Sequence, residues 1–164
     1  MSKKLLFDEY INDSIRILII ADAVKSGKRT IKLTEYKVRL YDYYLRFPHT
    51  MFNGVATGED LRANIDEYYA FFHWKPDIVK YRQSLNFLVA KGLLSKGFQD
   101  NDVLYEISAK GVEAIGALGS SYKQRLLVLA SLMVKTVSKL SDSKIEEEIS
   151  RKANILGRES EAVR

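Results

Sequence analysis

The residues of this chain whose types and spacing could do chemistry are mostly cationic. Between Lys25 and Arg39, six basic residues (Lys25, Lys28, Arg29, Lys32, Lys37, Arg39) stand against one acid, Glu35. From Lys75 to Lys96, the basic residues Lys75, Lys80, Arg82, Lys91 and Lys96 face Asp77 alone. Segregated positive charge suits phosphate binding, because each neutralised phosphate releases condensed counterions. Lys25, Lys28, Arg29, Lys32, Lys80, Gln83 and Lys96 are therefore the candidate DNA-contacting residues. The same charges also fit solvated helix faces and loops. Acidic stretches (Glu59, Asp60, Asp66, Glu67, and later Asp142, Glu146, Glu147, Glu148) bring the net charge to +5.

Other chemistry finds little support. There are no cysteines, which removes disulfides, thiolate metal sites and cysteine nucleophiles. The two histidines, His49 and His73, have no carboxylate or second histidine at metal-ligand spacing, so no metal site and no cofactor is expected. Lys25-Ser26-Gly27-Lys28-Arg29-Thr30 touches the phosphate-loop pattern, but it follows a helix rather than a strand and lacks the upstream glycine. No Gly-x-Ser-x-Gly is present. The pairs Asp8/Glu9 and Glu59/Asp60 read as helix-start acids favoured by the helix dipole. A binding protein, not an enzyme, is the expectation.

The elements that must position these residues are mostly helical. Ile11 to Ser26 reads as a buried helix with Ile11, Ile15, Leu18 and Ile19 in one stripe, stopped at Gly27. Thr30 to Leu33 alternates like a short strand. Thr34 is placed to cap a helix reaching about Phe47 that Pro48 ends, and His49 to Thr57 reads as loop. A further helix fits Glu59 to His73. Pro76 to Lys91 follows as a helix with Ile78, Tyr81, Leu85 and Leu88 inward and Gly92 as its stop. Two β runs around Gln99-Asp100-Asn101-Asp102 make a hairpin, and Ser108 caps the next helix, which Gly119 ends. Tyr122, Leu126, Leu129, Met133, Val137 and Leu140 form another helical stripe, and Ser143 to Glu146 reads as a capping box for a last helix.

The expected fold is mainly α with a small β-hairpin: a winged-helix core plus C-terminal helices. Residues 1–118 would hold the winged-helix unit, and 119–164 a helical extension packed on the same domain. In that arrangement Pro76 to Lys91 takes the recognition position and Phe98 to Val103 the wing tip. Opposite its buried stripe this helix presents Val79, Lys80, Gln83, Asn86, Phe87 and Ala90. Lys80, Gln83 and Asn86 suit a major groove, whereas Val79 and Phe87 suit a protein. The run Tyr68 to Trp74 holds too many large rings for one core, so Tyr69, Phe71 and Trp74 join Val79 and Phe87 as candidate interface residues. No segment is apolar for the roughly 20 residues a membrane helix needs. Met-Ser-Lys-Lys-Leu-Leu-Phe-Asp lacks a signal-peptide core, so a cytoplasmic location is expected.

Arg39-Leu40-Tyr41-Asp42-Tyr43-Tyr44-Leu45-Arg46-Phe47-Pro48 resembles the Leu-x-x-Tyr-Asp-Tyr stretch of middle-component proteins of three-component ABC-ATPase systems. Leu88 to Leu94 with Tyr105-Glu106-Ile107 is similar to that family's hairpin region, and Ser120 to Leu126 to its Ser-x-Tyr-x-x-x-Leu helix. The similarity runs from about residue 11 to 140. It implies a non-catalytic adaptor, with an SMC/Rad50-like ATPase and an effector nuclease as partners and non-specific double-stranded DNA nearby, as in Lamassu-type anti-phage and anti-plasmid defence. It carries over no catalytic residue. The alternative is a homodimeric winged-helix transcription regulator of the MarR or PadR kind.

Overall fold

A computed structural model describes residues 3–52, 67 and 77–162, with side chains for 9–52, 67 and 77–154. The described chain is mainly helical with one two-stranded hairpin: α1 (Lys3–Ser26), α2 (Glu35–Arg46), α3 (Pro48–Phe52), α4 (Ile78–Ala90), β1 (Leu94–Gln99), β2 (Asp102–Ile107), α5 (Ala109–Ala117), α6 (Ser121–Val137) and α7 (Asp142–Ala162). The helix expected over Glu59 to His73 lies outside the described residues except for Glu67.

α1 is the shared wall of the fold. Ile17, Leu18, Ile19, Ile20, Ala21 and Val24 are all buried, as a helix apolar on every side must be. It packs against α2, α4, α5, α6 and β2. It begins at Lys3 rather than Ile11, and Ile11 is exposed, because the partners of α1 cover its later turns more fully. Asp8 and Glu9 accordingly lie inside the helix and not at its start.

Local chemistry sets the ends of the elements. Thr34 Oγ1 accepts from Lys37 N–H at 3.2 Å and starts α2. Pro48 then ends α2 and opens α3, where its missing N–H is no loss, so a short helix replaces the loop expected from His49. Buried Glu67 caps that helix by accepting from the His49 and Thr50 N–H groups at 2.9 and 3.2 Å. Asp77 caps α4 through the Val79 and Lys80 N–H groups, so the helix begins at Ile78. At its other end Gly92 adopts φ 71°, with Leu93 N–H bonded to Leu88 O and Gly92 N–H to Val89 O, a Schellman stop.

The hairpin pairs Leu94 with Ile107 through Gln99 with Asp102, antiparallel, around Asp100 and Asn101 at φ 51° and 67°. Two left-handed residues of these types make the tight primed turn that matches strand twist. Ser108 caps α5 through Gly111 N–H, and at Gly111 a Cβ would lie 2.3 Å from Leu93 O, so only glycine lets α5 approach the strand. Thr30 to Leu33 is not a strand. Only one bond of that kind forms there, Tyr105 N–H to Leu33 O at 2.9 Å.

α6 buries Leu126, Leu129, Ala130, Met133 and Val137 against α1 and α2, but Tyr122 at its first turn is 40% exposed and leaves the expected stripe. α7 lays Ile145, Ile149 and Ala153 on α2 and α3. Its side-chain cap comes from Ser141, which accepts from Lys144 N–H, and not from Ser143. Among the described residues, no helix is long and apolar enough to cross a membrane.

Candidate interaction surfaces

A buried polar network holds α4 in place. Asp42 on α2 is fully buried, and its carboxylate accepts from Arg16 of α1 at 2.6 Å (Nε to Oδ1) and 3.3 Å (Nη2 to Oδ2). It also accepts the hydroxyl of Tyr81 from α4. Arg16 bonds Asp13 as well, and Asp13 in turn pairs with Lys80 of α4 at 2.8 Å. Burial disfavours the Arg16 cation, yet the charge and hydrogen bonds of Asp42, then Asp13, raise its pKa well above the ordinary value. Burial, followed by the Asp42 charge, pushes the Tyr81 hydroxyl up in the same way. Every member of the triad is satisfied, the condition under which such a network rigidifies a core rather than weakening it. The Tyr-Asp-Tyr stretch of α2 thus contributes structure, with Asp42 at its centre.

What this network presents outward is the free side of α4. Val79 is 61% exposed and Phe87 38% exposed, with Gln83 and Asn86 also exposed. Phe87 meets the Tyr10 ring of α1 edge-on at 5.4 Å between centroids, and the Lys91 ammonium lies over it at 5.7 Å. Ile78, expected in the buried stripe, is 44% exposed, because the first turn of α4 projects past the layer that Tyr81, Ser84, Leu85 and Leu88 pack into. Tyr69, Phe71 and Trp74 lie outside the described residues.

The candidate phosphate-binding residues divide in two. Lys25 pairs with Glu106 at 2.7 Å and donates to Ile107 O at 3.2 Å; Lys32 pairs with Asp100, and Lys80 with Glu9 and Asp13. Lys37 pairs with Asp142, and Arg82 with Glu35. Lys28, Arg29 and Lys96 are exposed and form no ion pair among the described residues. These three line a groove of about 510 Å³ between the α1–α2 loop and the hairpin, together with Thr30, Ser95 and Phe98, which is 78% exposed. Several of the lysines that look like one patch in sequence are therefore engaged by carboxylates of other segments, Lys25 and Lys32 in exposed pairs that bridge α1 and the α1–α2 loop to the hairpin.

Among the described residues, no group of three or more His, Asp or Glu is gathered as a metal ion would require. His49 gives its backbone N–H to Glu67, and His73 lies outside the described residues. No curated protein and no solved structure matches the chain. A family model does match, over residues 6–159, from within α1 to within α7. The chain belongs to the family it describes, the ABC-three component (ABC-3C) system Middle Component 2.

Proposed function

We propose that this middle component is a non-catalytic adaptor that docks the outward face of α4 on an SMC-like ATPase and brings an effector subunit, a nuclease, to it. Lamassu-type bacterial defence against phage or plasmids is the setting. In this reading α4, the hairpin and α5 form a winged-helix unit whose recognition position serves a protein. The observation that carries it is the side-chain content of α4. Its exposed face offers Ile78, Val79 and Phe87, while its cations Lys80 and Arg82 are engaged by Glu9, Asp13 and Glu35. A major-groove reader needs the opposite, uncommitted polar and cationic groups facing the base edges. Exposed apolar groups on a rigid support are the usual centre of a protein interface.

Contact with duplex DNA in this reading is weak and sequence-independent, through Lys28, Arg29 and Lys96 beside the hairpin. Co-purification with the ATPase of the same system tests the adaptor role. A fixed-ratio complex is expected with the unmodified chain, and its loss in Val79→Asp. A homodimer that binds one palindromic site tightly and ignores the ATPase would establish the transcription-regulator reading in its place.

A further inference from the structure

α1 ends at Ser26 beside the C-terminal half of α6, and between them lies a groove of about 570 Å³. Its floor is apolar and half-buried: Ala23 from α1, Leu127 and Val134 from α6. The two helices close on each other below it, since a Cβ on Gly27 would lie 3.3 Å from Val134 Cγ1. Around the rim stand Lys28, Arg29, Lys135 and Lys139, all exposed and none in an ion pair among the described residues, against one carboxylate, Asp22.

Cations near helix C-termini are favoured by the dipole, which accounts for Lys135 in the last turn of α6. That effect does not account for an apolar floor left half-open between two cationic walls. A nucleic-acid backbone would use the cations but leave Ala23, Leu127 and Val134 in contact with phosphate and sugar. Apolar side chains would gain from covering them, at about 25 cal/mol per Å² of area removed from water. The partner that satisfies floor and rim together carries apolar groups on one stripe and carboxylates on either side.

We propose that this groove receives an acidic amphipathic helix of a partner protein, its apolar residues at three- and four-residue spacing on the floor and its Asp and Glu residues against the four cations. The site is separate from the α4 face. Tyr10, which touches Phe87, and Ala23 are 13 positions apart on α1, or roughly 20 Å at the rise of an α-helix. Two partners can therefore be held at once, one at each end of α1.

The test uses the full chain with methyl-labelled Ala, Leu and Val and a 16-residue helical peptide bearing Leu at that spacing and Glu on both flanks. The peptide should shift the Ala23, Leu127 and Val134 methyls. Its affinity should fall at least about tenfold in Lys135→Glu/Lys139→Glu, and again in Lys28→Glu/Arg29→Glu on the other wall, while both variants melt like the parent. A control peptide with Lys in place of Glu should not bind. The proposal is overturned if the acidic peptide leaves the floor methyls unmoved, or if the Lys control binds as well. Because Lys28 and Arg29 also serve the proposed duplex contact, a 20-base-pair duplex is tested on Lys28→Glu/Arg29→Glu. If it still shifts the Ala23, Leu127 and Val134 methyls there, the groove is a nucleic-acid site and the proposal is overturned.

Discussion

Asp42 joins three helices, and its replacement by alanine has a cost that follows from the geometry. The change removes the acceptor of two Arg16 bonds, at 2.6 and 3.3 Å, and of the Tyr81 hydroxyl. Arg16 is 7% exposed and would keep only Asp13. Hydrogen bonds to charged groups contribute about 1.5–3 kcal/mol each, so the two Arg16 bonds together give roughly 3–6 kcal/mol. Removal of one member of a buried ion pair costs about 3–5 kcal/mol by direct comparison with other proteins. The two routes agree, and a loss of about 3–5 kcal/mol is expected in urea unfolding, read as a lower midpoint at unchanged slope. Asp42→Asn, which keeps an acceptor of the same shape, should lose about half as much. Replacing both partners, Asp42→Leu with Arg16→Met, should lose clearly less than the sum of the two single changes, because neither leaves a stranded charge. A loss below about 1 kcal/mol for Asp42→Ala, or strict additivity in the double variant, would refute the reading that this network locks α4 to α1 and α2.

Val79→Asp should leave the melting temperature unchanged or slightly raised while abolishing the ATPase complex, since an acid in the first turn of α4 is worth about 0.3–1 kcal/mol; a retained complex removes the α4 face from the interface. Phe87→Asp should also abolish the complex but unfold more easily, by about 1–3 kcal/mol, because the ring packs on Tyr10; equal stability in the two variants would contradict that packing. Titrated against random duplexes at two salt concentrations, Lys28→Glu/Arg29→Glu/Lys96→Glu should weaken binding alike for every sequence and flatten the salt slope. Lys25→Glu/Lys32→Glu should instead mainly lower stability, and the reverse pattern would show the paired lysines to be the phosphate contacts. The hydrogen bond to Glu146, then burial, pushes the Tyr36 hydroxyl up to about 12 from 10, so the protonated form is favoured by folding. That contribution is complete below pH 10 and is lost as pH rises through about 12. Tyr36→Phe should therefore flatten the alkaline fall in urea midpoint across this window, and an unchanged fall would place Tyr36 outside it.

What was legible in the sequence was chemistry that acts over a few residues. Thr34 and Ser108 as caps, Gly92 as a stop and Asp100-Asn101 as a tight turn each need only their neighbours, and each holds. The order helix, hairpin, helix follows from them, while the resemblance to a middle component rests on short motifs such as Leu40 to Tyr44. Partnerships across the chain were not legible. Lys25 and Glu106 read as members of different segments, yet their ion pair leaves Lys25 engaged rather than free for phosphate. Asp42 reads in the sequence only as part of the Tyr-Asp-Tyr motif, since nothing local says that Arg16 and Tyr81 will converge on it. Ile78 and Tyr122 kept the right spacing but lie in first turns, where a helix overhangs its neighbours and periodicity stops predicting burial.

The central place of α1 has a consequence for how the molecule comes apart. Its partners α2, α4, β2, α5 and α6 are drawn from positions 35 to 137, so few cooperative units could open without disturbing it. Amide protons of Ile17 to Ile20 should accordingly exchange only through global opening, and those of α6 at nearly the same rate. A fragment that ends at residue 118 would leave the α6-facing side of α1 to water, and with it a ready surface for self-association. If partners are held at both ends of α1, as proposed above, such all-or-none behaviour would carry strain applied at one end of the helix to the other.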